Sequence, residues 1–144
     1  MDKFTLESLK HGVIFEWLTT FKGAMNSMES ADFWKFKNFL DDYIYDHFQF
    51  EESKWFHMIR QKGNSEEIAF ARELELQHEQ ILNLISSYNE SLPENAGECG
   101  LLQQEKLLNL RDKIVHELLE HAQNEDLELF PILKKYQFSI NVID

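Results

Sequence analysis

The sequence predicts an all-α protein, an up-down-up-down four-helix bundle formed by residues 1–144 as a single domain. Three observations predict it. Apolar residues recur at helical spacing in four separate segments. Only two prolines and five glycines are present to interrupt them, and the joints between segments are short, which folds successive helices back on one another. The length of 144 residues suits one domain, and 43% hydrophobic with 13% aromatic content is enough for a packed core.

The first segment covers residues 5–25, with Leu9, Val13, Ile14, Trp17, Leu18 and Phe21 on one stripe. The second starts near Ser30, a suitable N-cap, and runs through Phe36, Leu40, Ile44 and Phe48 to Ile59. Residues 61–64, Gln-Lys-Gly-Asn, break it. The third is capped by Asn64 or Ser65, and Asn64 with Glu67 has the capping-box pattern. It continues through Ile68, Ala71, Leu74, Ile81, Leu82 and Ile85 to Tyr88.

Residues 91–100 hold Pro93, Gly97 and Gly100 and read as a loop. The fourth segment runs from Leu101 through Leu107, Leu110, Ile114, Leu118 and Leu129 to Tyr136. Pro131 lies inside it, and is expected to kink the helix or end it a turn early, because it lacks an N–H and crowds the preceding turn.

A formal charge of −12 argues against nucleic acid or an anionic membrane as partner, since both need a basic patch. No apolar run is long enough to span a bilayer. Residues 1–9 carry mixed charges and do not resemble a signal peptide, and the single Cys99 cannot form an internal disulfide. A cytoplasmic location is the expectation.

The six histidines sort into two kinds. Residues three, four, seven and eight apart share a helix face. By that rule His11 faces Ile14, Phe15 and Leu18; His47 faces Leu40, Tyr43, Ile44 and Phe50; His78 faces Ala71, Leu74, Ile81, Leu82 and Ile85; His121 faces Ile114, Leu118 and Leu129. His57 and His116 have polar and charged neighbours three and four residues away, Leu119 beside His116 being the one apolar exception, and read as solvated. Each segment therefore puts one histidine on its apolar stripe. One such histidine is usually a hydrogen-bonded core residue. Four converging in one core need partners to offset their desolvation, and a shared metal satisfies them together.

Two carboxylates strengthen the reading. Glu51 follows His47 by four residues and Glu125 follows His121 by four, so each shares its histidine's face. Four imidazoles and two carboxylates exceed one tetrahedral zinc and lack thiolates. They suit two metal ions, with histidines terminal and carboxylates bridging; mixed nitrogen and oxygen ligation suits iron, manganese or another divalent metal without choosing between them. Glu117, one turn before His121, is an extra ligand, an acceptor for a ring N–H, or a rim residue.

These residues resemble the hemerythrin-like, or HHE cation-binding, family. The motifs are HFQFEE at 47–52 and HAQNEDLELFP at 121–131, similar to the family's two His-x-x-x-Glu-Glu helices, with His11 in LKHGVIFEWL and His78 in ELQHEQIL resembling the first- and third-helix ligands. The resemblance implies a non-haem di-iron centre held by His11, His47, His78 and His121, with Glu51 and Glu125 bridging. It also implies a diatomic ligand, oxygen or nitric oxide, for carriage, sensing or iron handling.

The chain departs from the oxygen carriers in three places. Leu74 stands where their third helix has a second histidine, their fourth-helix spacing would select Asp126 instead of Glu125, and the gap from His47 to His78 is longer than theirs. These departures shift weight towards nitric oxide, peroxide or iron chemistry, with a di-iron enzyme or an iron-centre repair protein as the alternative function. A ferritin-like site needs Glu-x-x-His on two helices, and this chain has one match, Glu75 with His78. A metal-free helical interaction module is the remaining alternative.

Overall fold

Three long helices carry most of the described chain. The computed structural model describes Glu16, residues 30–93 and residues 100–136, and no strand occurs among them. Glu16, in the first predicted segment, is helical and exposed. The rest of that segment, including His11, lies outside the described residues, so the all-α class stands while the fourth helix is not among the elements seen.

Helix α1 spans residues 30–62. Its α-helical stretches Ser30–Phe39, Tyr45–Phe50 and His57–Lys62 are joined by π-helical turns at Leu40–Ile44 and Glu51–Phe56. It stops at Gly63, where the backbone turns extended (φ −78°, ψ 161°). The Gly63 N–H bonds the Ile59 carbonyl at 2.7 Å. A Cβ at Gly63 would lie 2.6 Å from that same oxygen, so the turn requires glycine.

Helix α2, Ser65–Ser91, begins with the capping box read from the sequence. Asn64 Oδ1 accepts from the Glu67 N–H at 2.8 Å, and Glu67 Oε1 accepts from the Asn64 N–H at 2.9 Å. Helix α3 spans residues 101–135, as Leu101–Asn124, a π turn at Glu125–Leu129, and Phe130–Lys135. Pro131 does not end this helix early. The irregularity falls just ahead of it, where the wider π turn gives the ring room that a regular turn would deny.

The core divides into two apolar clusters. The first joins the early part of α1 (Phe33, Phe36, Leu40, Ile44, Phe48) to the late part of α2 (Ile81, Ile85, Tyr88) and the early part of α3 (Leu107, Ile114, Leu118). The second joins the end of α1 (Trp55, Phe56, Ile59) to the start of α2 (Ala71, Leu74) and the end of α3 (Leu129, Phe130, Leu133). Consecutive helices are therefore antiparallel. Between the clusters lies a layer that is neither apolar nor exposed.

Candidate metal centre

That layer is made of His47, Glu51, His78, His121 and Glu125, all buried. Each sits where the apolar period of its helix points inward, between a residue of one cluster and a residue of the other: Phe48 and Trp55 around Glu51, Leu74 and Ile81 around His78, Leu118 and Leu129 around His121 and Glu125. Burying carboxylates at such positions carries a large desolvation cost unless charge or hydrogen bonds offset it. Both glutamates open a π-helical turn, a backbone feature that recurs at functional sites.

The polar atoms converge across helices. His78 Nε2 lies 3.0 Å from Glu51 Oε1 and 2.9 Å from His121 Nε2. His47 Nε2 lies 3.4 Å from Glu51 Oε2, and His121 Nε2 lies 3.4 Å from Glu125 Oε1. Glu51, His78, His121 and Glu125 each offer one ligand atom, and these atoms all lie within 4.8 Å of one another. Two nitrogens and two carboxylate oxygens directed at one small volume form a donor set suited to a divalent transition metal.

The electrostatics follow from burial and partners. Burial opposes ionisation of Glu51, but the charge of His47 and the hydrogen bonding that Glu51 shares with Glu125, His121 and His47 outweigh it, holding the carboxyl well below its usual range. Burial lowers the His78 pKa and its contacts with Glu51 do not restore it, so this ring is neutral near pH 7. For His121 burial again acts downward, yet the charge of Glu125 and the contacts with Glu51 prevail, and its pKa is raised.

The described members of the predicted set can be placed one by one. Glu51, His78, His121 and Glu125 form the cluster and His47 flanks Glu51, while His11 lies outside the described residues. Glu125 faces the core and the neighbouring Asp126 is exposed. His57 and His116 are exposed, as their neighbours predict. Glu75, the one ferritin-like match, pairs with Arg60 instead.

Sequence reading missed three contacts. Phe48 stacks on the His78 ring, centroids 3.8 Å apart and 11° between planes, and Phe56 packs on it at 5.4 Å. Phe48 reads from the sequence only as core, and Phe56 is not singled out by it. Gln77 Oε1 lies 2.7 Å from His121 Nδ1, a hydrogen bond from α3 to α2 that no spacing within one helix signals. His78 Nδ1 makes no hydrogen bond among the described residues, with Glu52 Oε1 3.8 Å away.

Comparison with protein families decides the assignment: residues 8–133 match the model of the hemerythrin HHE cation binding domain. The chain belongs to the hemerythrin HHE family. Comparisons with curated proteins and with solved structures give no match. Membership of the HHE family implies binding of a divalent cation, and the buried His/Glu cluster is the place where the donor chemistry fits one. Among the described residues no helix is long and apolar enough to cross a membrane.

Proposed function

We propose that the chain is a non-haem di-iron protein of hemerythrin-like type that binds a diatomic ligand, oxygen or nitric oxide, for carriage, sensing or iron handling. The observation that carries this reading is the buried convergence of His78 Nε2, His121 Nε2 and the Glu51 and Glu125 carboxylates between two apolar clusters. In this reading residues 5–25 supply the fourth helix of an up-down-up-down bundle, and with it His11. His11, His47, His78 and His121 would hold the ions as terminal donors, with Glu51 and Glu125 as the shared carboxylates. When bound, two iron ions supply Lewis-acid and one-electron chemistry that no side chain in the layer has.

The chain's own part is to hold, shield and settle protons. Glu51 is kept ionised by its neighbours, so it meets a cation without first losing a proton. Neutral His78 carries its proton on Nε2 when it donates to Glu51 Oε1; were that nitrogen to hold a metal, Nδ1 would be the atom left for the proton, on the side facing Glu52. Phe48 and Phe56 cover the His78 ring and keep water from it. The i,i+4 placement of both His–Glu pairs on long helices fixes each donor by the backbone instead of by a loop.

The test is anaerobic loading with iron(II), metal analysis, and visible absorption before and after oxygen or nitric oxide. About two irons per chain and a ligand-dependent band are expected. Fewer than one transition metal per chain overturns the di-iron reading, and a chain unaffected by chelators points to a metal-free interaction module. Full loading with no response to either gas overturns the diatomic role. Consumption of oxygen or peroxide with turnover would move the assignment to a di-iron oxidoreductase, and manganese in the purified protein would change the metal.

A further inference from the structure

The side of His121 that faces away from the cluster is held by another helix. Its Nδ1 lies 2.7 Å from Gln77 Oε1, and Gln77 immediately precedes His78 on α2. A neutral imidazole has one proton to place on two nitrogens. With the proton on Nδ1, Gln77 Oε1 accepts it, and Nε2 keeps its lone pair towards His78, Glu51 and Glu125. With the proton on Nε2, Nδ1 and Oε1 become two acceptors in contact, and an N–H points into the donor cluster.

A glutamine amide can also turn over and offer its NH2 group, which would select the second arrangement. The surroundings weigh against that turn. Gln77 lines a polar cleft of about 180 Å³ together with Gln80, Glu117, Glu120, His121 and Asn124. The Glu117 and Glu120 carboxylates are acceptors, so the cleft side of the amide suits the NH2 end and leaves Oε1 for the ring.

We propose that Gln77 is a positioning residue that fixes His121 as its Nδ1–H tautomer and so leaves Nε2 open towards Glu51, His78 and Glu125. Its consequence for metal affinity rests on the reading of His121 as a ligand, whereas the tautomer itself is a property of the metal-free chain. Outer hydrogen bonds of this kind typically change metal affinity by about 10- to 100-fold. Glutamine here supplies an acceptor without adding a further buried negative charge beside Glu51 and Glu125.

The test uses the full chain labelled with 15N-histidine, metal-free and at alkaline pH where the rings are neutral. Long-range 1H–15N NMR reads the tautomer, with His121→Ala to assign the signal, and an anaerobic iron(II) titration follows on the same samples. Wild type is expected to show Nδ1–H at His121. Gln77→Leu should lose that preference and bind iron about 10- to 100-fold more weakly. Gln77→Glu, which keeps an acceptor oxygen, should restore Nδ1–H, a rescue that a merely space-filling role would not produce. An Nε2–H signal in wild type, or an unchanged tautomer in Gln77→Leu, overturns the proposal. A changed tautomer with unchanged iron affinity upholds the Gln77 contact and overturns the ligand role given to His121.

Discussion

Helix α3 carries a His–Glu pair at four-residue spacing twice, five residues apart, and the two pairs have nearly the same length. His116 Nε2 lies 3.3 Å from Glu120 Oε2, and His121 Nε2 lies 3.4 Å from Glu125 Oε1. Their surroundings are opposite. The first pair is 74% and 61% exposed; the second is 3% and 0% exposed. In water such a pair is worth about 0.3–0.5 kcal/mol and competes with solvent for both groups. In the core each charged partner forfeits hydration worth several kcal/mol, so the arrangement persists only where other charges, hydrogen bonds or an ion offset the loss. Residue type and spacing alone do not separate the two pairs. Five residues of helix are about 500° of rotation, which carries the second pair round to the inner face.

The largest expected effect tests that difference directly. Glu51→Ala or Glu125→Ala should reduce bound iron from about two per chain to about one or none, measured by metal analysis after anaerobic loading, because each removes a proposed bridge. His121→Ala should strip the metal in the same assay. Next in size is the apolar support: Trp55→Ala should lower unfolding free energy by about 3–5 kcal/mol, read from urea denaturation of the metal-free chain. Trp55 is fully buried in the cluster beside the layer.

A smaller effect concerns a carboxylate ionised by hydrogen bonds. Glu67 accepts from the Tyr136 hydroxyl, from the Asn64 N–H and from Lys135 Nζ at 3.0 Å, and its pKa is lowered from 4.5 to about 2, chiefly by Tyr136. A depressed carboxyl contributes stability above its ordinary value and loses it as pH falls through the folded one. That loss runs from 4.5 down to about 2. Glu67→Gln should therefore show a smaller drop in melting temperature between about pH 5 and about pH 3 than wild type. The smallest expected effect is His116→Ala, within about 0.5 kcal/mol in stability and without loss of metal. If it strips iron as His121→Ala does, burial does not decide which pair binds.

Much of this was legible before the fold was known. The approximate extents of the three described helices, the Asn64 capping box and the inward faces of His47, His78 and His121 all follow from residues within one or two turns of each other. Pro131 was harder to read, because its cost depends on the hydrogen-bond pattern of the turn before it, and that turn is π-helical. Asp126 against Glu125 was undecided for a related reason: adjacent residues differ by about 100° around a helix, and either could face inward until the packing phase is set. The glutamine and phenylalanines around the imidazoles come from different turns and different helices, so no local spacing points to them.

By itself, then, the sequence determined an all-helical chain whose apolar stripes carry histidines and glutamates, since amphipathicity and capping act within a few residues. The tertiary structure alone decided that Glu51, His78, His121 and Glu125 present ligand atoms within 4.8 Å of one another, that Gln77 meets His121, and that Phe48 lies flat on His78. Apart from His121 and Glu125, those contacts join residues on different helices and at least 27 positions apart. Their distances depend on how antiparallel helices pack and on where a π turn shifts their phase. Of the two His–Glu pairs on α3, the neighbours of His121 already mark the inward one, packing brings it against Glu51 and His78, and the chemistry proposed for the chain begins there.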